Sequence, residues 1–363
     1  MKSGAHYFTQ RLCEYLKTPP NVSDITNSSM TNLPMTFYNI ISGYNVPALK
    51  DCGNGLYVST SASASANLTL KKLEQAVSGS YGVLYYCNVD KKYYYLKTSK
   101  EATTSLKNEA FLQLGAHIML SYYDIPWAVP AVHHIVDIPG HNVCFTMDIV
   151  TDMKIFGKYM MDNMLWGIKT VHNDVLVMEL LCQMALYIMI LEKELGMNHR
   201  DLKLNNVLMV KEQALTNHTI GIDGVSYTLN CGARAVLIDF GFACIGDVEK
   251  RASLLSASEY GMMVDMCPKA GRDIFLILAN MWNVPAVRGA LTDVGAGLFK
   301  KWLVDNGGKN WSAWLVENRD RELKNVYNAM NNAEFVGINS MPAKILADIA
   351  AAYPGVLRIS AGD

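Results

Sequence analysis

The stretch His199-Arg200-Asp201-Leu202-Lys203-Leu204-Asn205-Asn206 decides the reading of this 363-residue chain. It gathers a carboxylate, an ammonium and an amide within six positions, shortly after the long apolar run Val175 to Leu195. A second polar cluster, Asp239-Phe240-Gly241, lies 33 positions beyond Asn206 and directly follows the apolar strand pattern Ala235 to Ile238. Polar groups on loops that leave apolar scaffold elements are where binding and chemistry concentrate.

Reading outward, Val175 to Leu195 is interrupted by Glu179, Gln183, Glu192 and Glu194. It falls short of the roughly 20 apolar residues of a membrane span and reads as a helix buried on all sides. Between Leu68 and Ile149 strand signals dominate. Val83-Leu84-Tyr85-Tyr86-Cys87 and Tyr93-Tyr94-Tyr95-Leu96 flank a turn at Asp90-Lys91-Lys92, and Val143 to Met147 is a further strand. A helix is expected over about Ser105 to Leu120. After Met153 helices prevail, except for short strands at Val207 to Val210 and Ala235 to Ile238 and a hairpin at Asp223-Gly224. Ala5, Phe8, Leu12 and Leu16 recur at helical spacing, ended by Pro19-Pro20. Residues 21–66 are rich in Ser, Asn and Thr, and the run Ser59 to Ala66 reads as a flexible linker. Sheet first and helices later predicts an α+β protein with a cleft between two lobes.

Composition narrows the function classes. Half the residues are hydrophobic, enough for a large core, and Lys+Arg 32 against Asp+Glu 33 leaves a net charge of -1. The basic stripe of a nucleic-acid binder or membrane-surface binder is missing from this balance. The eight cysteines form no CxxC pair and no zinc spacing. Several lie in apolar runs, so they are expected to be reduced thiols in a reducing, cytoplasmic compartment. Met1 to Gln10 carries no apolar core like that of a secretory leader.

The order HRDxxxxN, strand, DFG resembles the catalytic loop and metal-binding loop of eukaryotic-type protein kinases, and the resemblance extends from about Leu68 to Asn280. It implies a bilobal fold: an N-terminal extension (1–66, one helix and a linker), a sheet-rich N-lobe with hinge (67–149) and a helical C-lobe (150–363). It implies ATP and Mg2+ as ligands and a protein substrate. Phosphoryl transfer needs positioning and charge neutralisation more than covalent chemistry. Asp201 is the expected base and Lys203 the expected charge on the transferring group; lysine there points to Ser/Thr acceptors in this family. Asn206 and Asp239 supply hard oxygens of the kind magnesium prefers. His199 would pack the loop, Arg200 would meet a phosphorylated activation segment, and Asp273 in Gly271-Arg272-Asp273-Ile274-Phe275 would brace it.

Upstream, the resemblance makes Lys97 the phosphate-binding lysine and Glu109 its partner, with Glu101 as rival. Gly79 and Gly82 take the second and third places of the glycine-rich loop, while Val77 stands at the first. Met147 would back the adenine pocket, and backbone groups near Asp148 and Ile149 would bind the adenine edge. Ser253, Ser256, Ser258 and Tyr260 are candidate phosphorylation sites between the metal loop and Asp273.

The chain departs from the pattern in three places. Asp265-Met266-Cys267-Pro268 stands where Ala-Pro-Glu is usual, the span from Asn206 to Asp239 is long, and the tail after Trp282 lacks the large-lobe pattern. The extended hairpin and Asp239-Phe240-Gly241-Phe242-Ala243 resemble the divergent kinases of large DNA viruses, which would place the protein in host cytoplasm or virion. Two other readings stay open: a pseudokinase scaffold, and a small-molecule phosphotransferase with a related loop. The amphipathic N-terminal helix is expected to dock a partner or the chain's own lobe.

Overall fold

β-branched and aromatic residues between 68 and 147 pair as strands because their side chains pack well on a pleated surface. In the computed structural model, which describes residues 4–17, 32–59, 68–79, 82–250, 252–257, 266–318, 324–330 and 335–362, they form most of a seven-stranded sheet. Its strands are β1 (Leu49–Asp51), β2 (Leu56–Ser59), β3 (Thr69–Ser78), β4 (Gly82–Val89), β5 (Lys92–Ser99), β6 (Val132–Ile138) and β7 (Asn142–Met147), in the spatial order β1-β2-β3-β4-β5-β7-β6. All neighbours are antiparallel. Asp90 and Lys91 both adopt positive φ, which closes the tight β4–β5 turn. The α+β architecture of a sheet-rich lobe followed by a helical lobe is the one expected from the sequence.

The first 59 residues hold more than one helix. The expected helix spans Gly4–Leu16 (α1), with Ala5, Phe8, Leu12 and Leu16 buried. A second, Leu33–Ser42 (α2), was hidden by its polar surroundings, and β1 and β2 extend the sheet itself. Both helices pack against Lys107–Tyr122 (α3), the helix that carries Glu109. Phe8 and Phe37 meet edge to face at 5.1 Å, and a Cβ on Gly115 of α3 would stand 2.7 Å from the Phe37 ring. The expected linker at 60–66 lies outside the described residues.

Below the sheet, Val171–Leu195 (α5) is the long apolar helix. It is long and apolar enough to cross a membrane by composition, yet 78% of its apolar window is buried in the protein. Thr170 caps its start by accepting from the Asn173 N–H, and Gly196 ends it in a left-handed conformation. Short elements β8 (Met153–Ile155), Phe156–Asn163 (α4) and β9 (Met197–Asn198) flank it. The strands expected at 207–210 and 235–238 are the base of one long hairpin, β10 (Val207–Ile222) and β11 (Val225–Leu237), turned by Asp223 and Gly224 at positive φ. β8 lies beside β10, and β14 (Leu357–Ala361) beside β11. Helices Arg272–Asn283 (α6), Pro285–Ala290 (α7), Asp293–Trp302 (α8), Trp311–Glu317 (α9), Lys324–Met330 (α10) and Pro342–Ala352 (α11) complete the lobe.

Two cysteines depart from the expectation of reduced thiols. Cys244, opening β12 (Cys244–Asp247), and Cys267 are joined by a disulfide. β12 pairs with β9 and with β13 (Ala252–Ser256), so the bond brackets the segment after Asp239. Of the remaining six cysteines, Cys52 is exposed and the other five are buried. The pairing follows from tertiary approach of residues 23 apart, which no local spacing motif records.

Candidate active site

Lys97 sits on β5 opposite Phe145 of β7. Its ammonium reaches Glu109 Oε1 at 2.5 Å and Asp239 Oδ1 at 2.8 Å. One cation thus joins the sheet, α3 and the loop after β11. Burial alone would lower the Lys97 pKa, but the carboxylates of Glu109 and Asp239 outweigh it and hold the lysine above its ordinary value. The same ammonium pulls the Asp239 carboxyl below its ordinary range. The rival Glu101 lies in an exposed turn and accepts from Thr104 Oγ1 instead. Position along the chain explains the choice: Glu109 is buried in the first turn of α3, whereas Glu101 precedes the helix.

Asp201 is nearly buried, and both of its carboxylate oxygens are engaged. Oδ2 accepts from Lys203 Nζ at 2.6 Å and from Asn206 Nδ2 at 2.9 Å. Oδ1 accepts from the hydroxyl of Tyr327, on α10, at 3.1 Å. Tyr327 is a site residue that sequence reading missed. Burial, reinforced by the Asp201 charge, raises its pKa and keeps the phenol protonated, and the Asn280 side chain on α6 hydrogen-bonds the same hydroxyl.

The loop is held from beneath by Asp273, whose carboxylate accepts the His199 N–H at 2.7 Å and the Arg200 N–H at 2.8 Å. His199 donates its ring N–H to the Ile238 carbonyl at 3.0 Å and packs on Phe240, with ring centroids 4.9 Å apart. Arg200 and Asp239 both have positive φ, a conformation non-glycine residues adopt when surrounding contacts over-determine it. Arg200 Nη1 also reaches Ser256 Oγ at 3.3 Å. Ser253 is in β13 and exposed; Ser258, Tyr260 and Asp265 lie outside the described residues.

Above Lys97, the β3–β4 turn is closed by the Gly79 N–H donating to the Gly82 carbonyl at 2.9 Å. A Cβ on Gly82 would stand 3.3 Å from Lys97 Cε, so glycine lets this strand lie close over the lysine. Met147 follows Phe145 by two residues and therefore shares the Lys97 face of the sheet. Its sulfur accepts from Gln113 Nε2 of α3 at 3.5 Å, which puts it at the back of the cleft.

Asp148 corrects the sequence reading in part. Its backbone N–H already donates to the Ala131 carbonyl at 3.0 Å, and its side chain binds His133 at 2.5 Å. That N–H is therefore spent on the β6 side, and a base edge would fall to its carbonyl and to the backbone of Ile149, which follows the end of β7.

Asn206 and Asp239 offer one amide oxygen and one carboxylate. Because Asn206 Nδ2 donates to the Asp201 carbonyl at 2.8 Å and to its carboxylate, the amide oxygen is the end left for a cation. This donor set fits magnesium, which takes few protein oxygens and completes its shell with water and phosphate. Among the described residues there is no cluster of three or more His, Cys, Asp or Glu for a metal held by protein alone.

No known family model and no curated relative matches the sequence. Among solved structures the chain is similar to the BubR1 kinase domain, at 14% identity and a TM-score of 0.47, covering 87% of this chain and 99% of that one. It is also similar to vaccinia related kinase 3, at 10% identity and a TM-score of 0.44, covering 88% of this chain and 96% of that one.

Proposed function

We propose that the protein is an ATP- and Mg2+-dependent kinase that phosphorylates Ser or Thr hydroxyls of other proteins. The carrying observation is that Lys97, Glu109 and Asp239 meet across the cleft while Lys203 and Asn206 orient Asp201 beside them. A protein that only bound nucleotide would need the first cluster alone; the oriented carboxylate is a feature of transfer. Asp201 takes the acceptor proton, and Lys203 neutralises charge on the moving phosphoryl group. Lys97, kept charged by two carboxylates, holds phosphate oxygens, and Gly79 and Gly82 let backbone N–H groups approach them. Asn206 and Asp239 would hold magnesium, which would supply charge neutralisation at the phosphates. The Arg200–Ser256 contact makes Ser256 the described candidate for a phosphate on the activation segment. The reading as a viral-type kinase is supported by the long β10–β11 hairpin and by Asp239-Phe240-Gly241-Phe242-Ala243.

The test is transfer of labelled γ-phosphate from Mg-ATP to a generic Ser/Thr protein substrate, with folded Asp201→Ala as control. Transfer that vanishes in the variant supports the reading. Equal counts from both proteins would sink it, and transfer to small hydroxyl compounds alone would favour a small-molecule phosphotransferase.

A further inference from the structure

The described cleft leaves Tyr327 without a role. Its residue number is 126 beyond that of Asp201, on a helix with its own anchors: Val326 and Met330 are buried, and Lys269 Nζ donates to the Met330 carbonyl at 2.8 Å. This anchoring presents a phenol to the base.

The two oxygens of Asp201 are unequal. Oδ2 is saturated by the Lys203 ammonium and the Asn206 amide. Oδ1 is the oxygen left for an acceptor hydroxyl, and among the described residues the Tyr327 O–H alone donates to it. A hydroxyl 3.1 Å from the base, held by its own chain, occupies the position an acceptor must reach. Holding a reactant in place in this way replaces a bimolecular encounter by an intramolecular one, an advantage that can reach an effective molarity of about 10⁵ M or more. The lysine at position 203 does not argue against a phenol in cis. Recognition of a free tyrosine would need a site shaped for it, whereas here the helix supplies the position.

We propose that Tyr327 is the site's own first acceptor, phosphorylated in cis, and that phosphorylation empties the acceptor seat for protein substrates. This rests on the phosphotransfer reading above. The phenol oxygen bonds to the γ-phosphorus of a nucleoside triphosphate as the bond from that phosphorus to the β–γ bridging oxygen breaks. The phenol proton passes to Asp201 Oδ1, and nucleoside diphosphate leaves. The product carries a phosphate of charge about -1.5 to -2 beside the Asp201 carboxylate. Like charges at that separation repel, so the modified side chain leaves the base.

The experiment is peptide mapping by mass spectrometry of full-length protein incubated with Mg-ATP, over a range of protein concentrations, with a generic protein substrate in the same tubes. A single phosphate on Tyr327, formed at a first-order rate independent of protein concentration and missing in Asp201→Asn, is expected. Tyr327→Phe should lose that phosphate and phosphorylate the added substrate several-fold more slowly, because its ring cannot be charged and driven from the seat; substrate phosphorylation as fast as wild type would overturn the proposed emptying of the seat. Phosphorylated substrate without phosphate on Tyr327 overturns the inference and leaves the kinase reading standing. A rate that rises with protein concentration overturns the cis geometry. No transfer to either acceptor overturns both.

Discussion

The cleft and the helical frame behind it are stabilised by opposite means. In the cleft, a few charged and polar groups hold one another at distances of 2.5 to 3.1 Å. The frame, made of α1, α2 and the back of α3, is aromatic and aliphatic packing in which no single contact carries chemistry. Changes in the first region should alter rate far more than stability; changes in the second should do the reverse.

The largest expected effect breaks the comparison if it fails. Asp201→Asn keeps the shape and the Tyr327 contact but removes the proton acceptor, so phosphotransfer should fall about 10²- to 10⁴-fold. Thermal unfolding should stay near wild type. A loss of melting temperature as large as that of a core variant would mean the loop is a structural strut.

Phe37→Ala probes the other side. Phe37 is fully buried against Phe8 and Gly115. Its truncation should cost about 3–5 kcal/mol in denaturant unfolding, with the per-molecule rate of the folded fraction retained. A collapse in the rate of the folded fraction would show that α2 sets the position of Glu109 through α3.

Lys269 sharpens the comparison on the pH axis. Burial, with the Arg200 charge nearby, lowers its pKa from 10.5 to about 8. The folded chain loses this proton near pH 8 while the unfolded chain keeps it until about pH 10.4. Between those values the unfolded state binds more protons, so stability should climb as pH rises. Lys269→Met should flatten that slope in urea titrations run from pH 7.5 to 10; an unchanged slope would assign it to other groups.

The smallest effect is expected at Tyr353, whose hydroxyl donates to the buried Asp174 carboxylate at 2.7 Å. Asp174 keeps its bonds from the Thr292 N–H and hydroxyl. Tyr353→Phe should therefore cost about 1 kcal/mol and leave transfer intact. A loss well above that would show that Thr292 cannot hold the α5 end by itself.

The same contrast explains what was legible in the sequence. Lys97, Asp201, Lys203, Asn206 and Asp239 could be nominated because they match the motifs on which the resemblance rests, and the structure sets Lys97 against Asp239 and both Lys203 and Asn206 against Asp201. Glu109 was separable from Glu101 because Glu101 lies close behind the strand, before the helix begins. Tyr327 and Asn280 were not legible, since a contact across 126 residues leaves no period in the chain. The taken N–H of Asp148 was equally hidden, because it depends on where Ala131 lies. In the frame, α2 did leave a signal. Leu33, Phe37 and Ile41 recur every four residues, with Pro34 in the first turn where proline is tolerated. The Ser/Asn-rich composition around them masked it.

The strand β14 has a consequence for biosynthesis. Ala361 pairs with Val225, so the outer edge of the β10–β11 hairpin waits for a segment made 136 residues later. At roughly 5–20 residues per second, a ribosome leaves that edge uncovered for on the order of ten seconds. During this interval the nascent hairpin presents an open row of backbone donors and acceptors, the template on which strands of other chains assemble. The end of the described chain thus acts as a late seal on the helical lobe, and premature termination before Leu357 should yield a product that holds the cleft residues yet tends to aggregate.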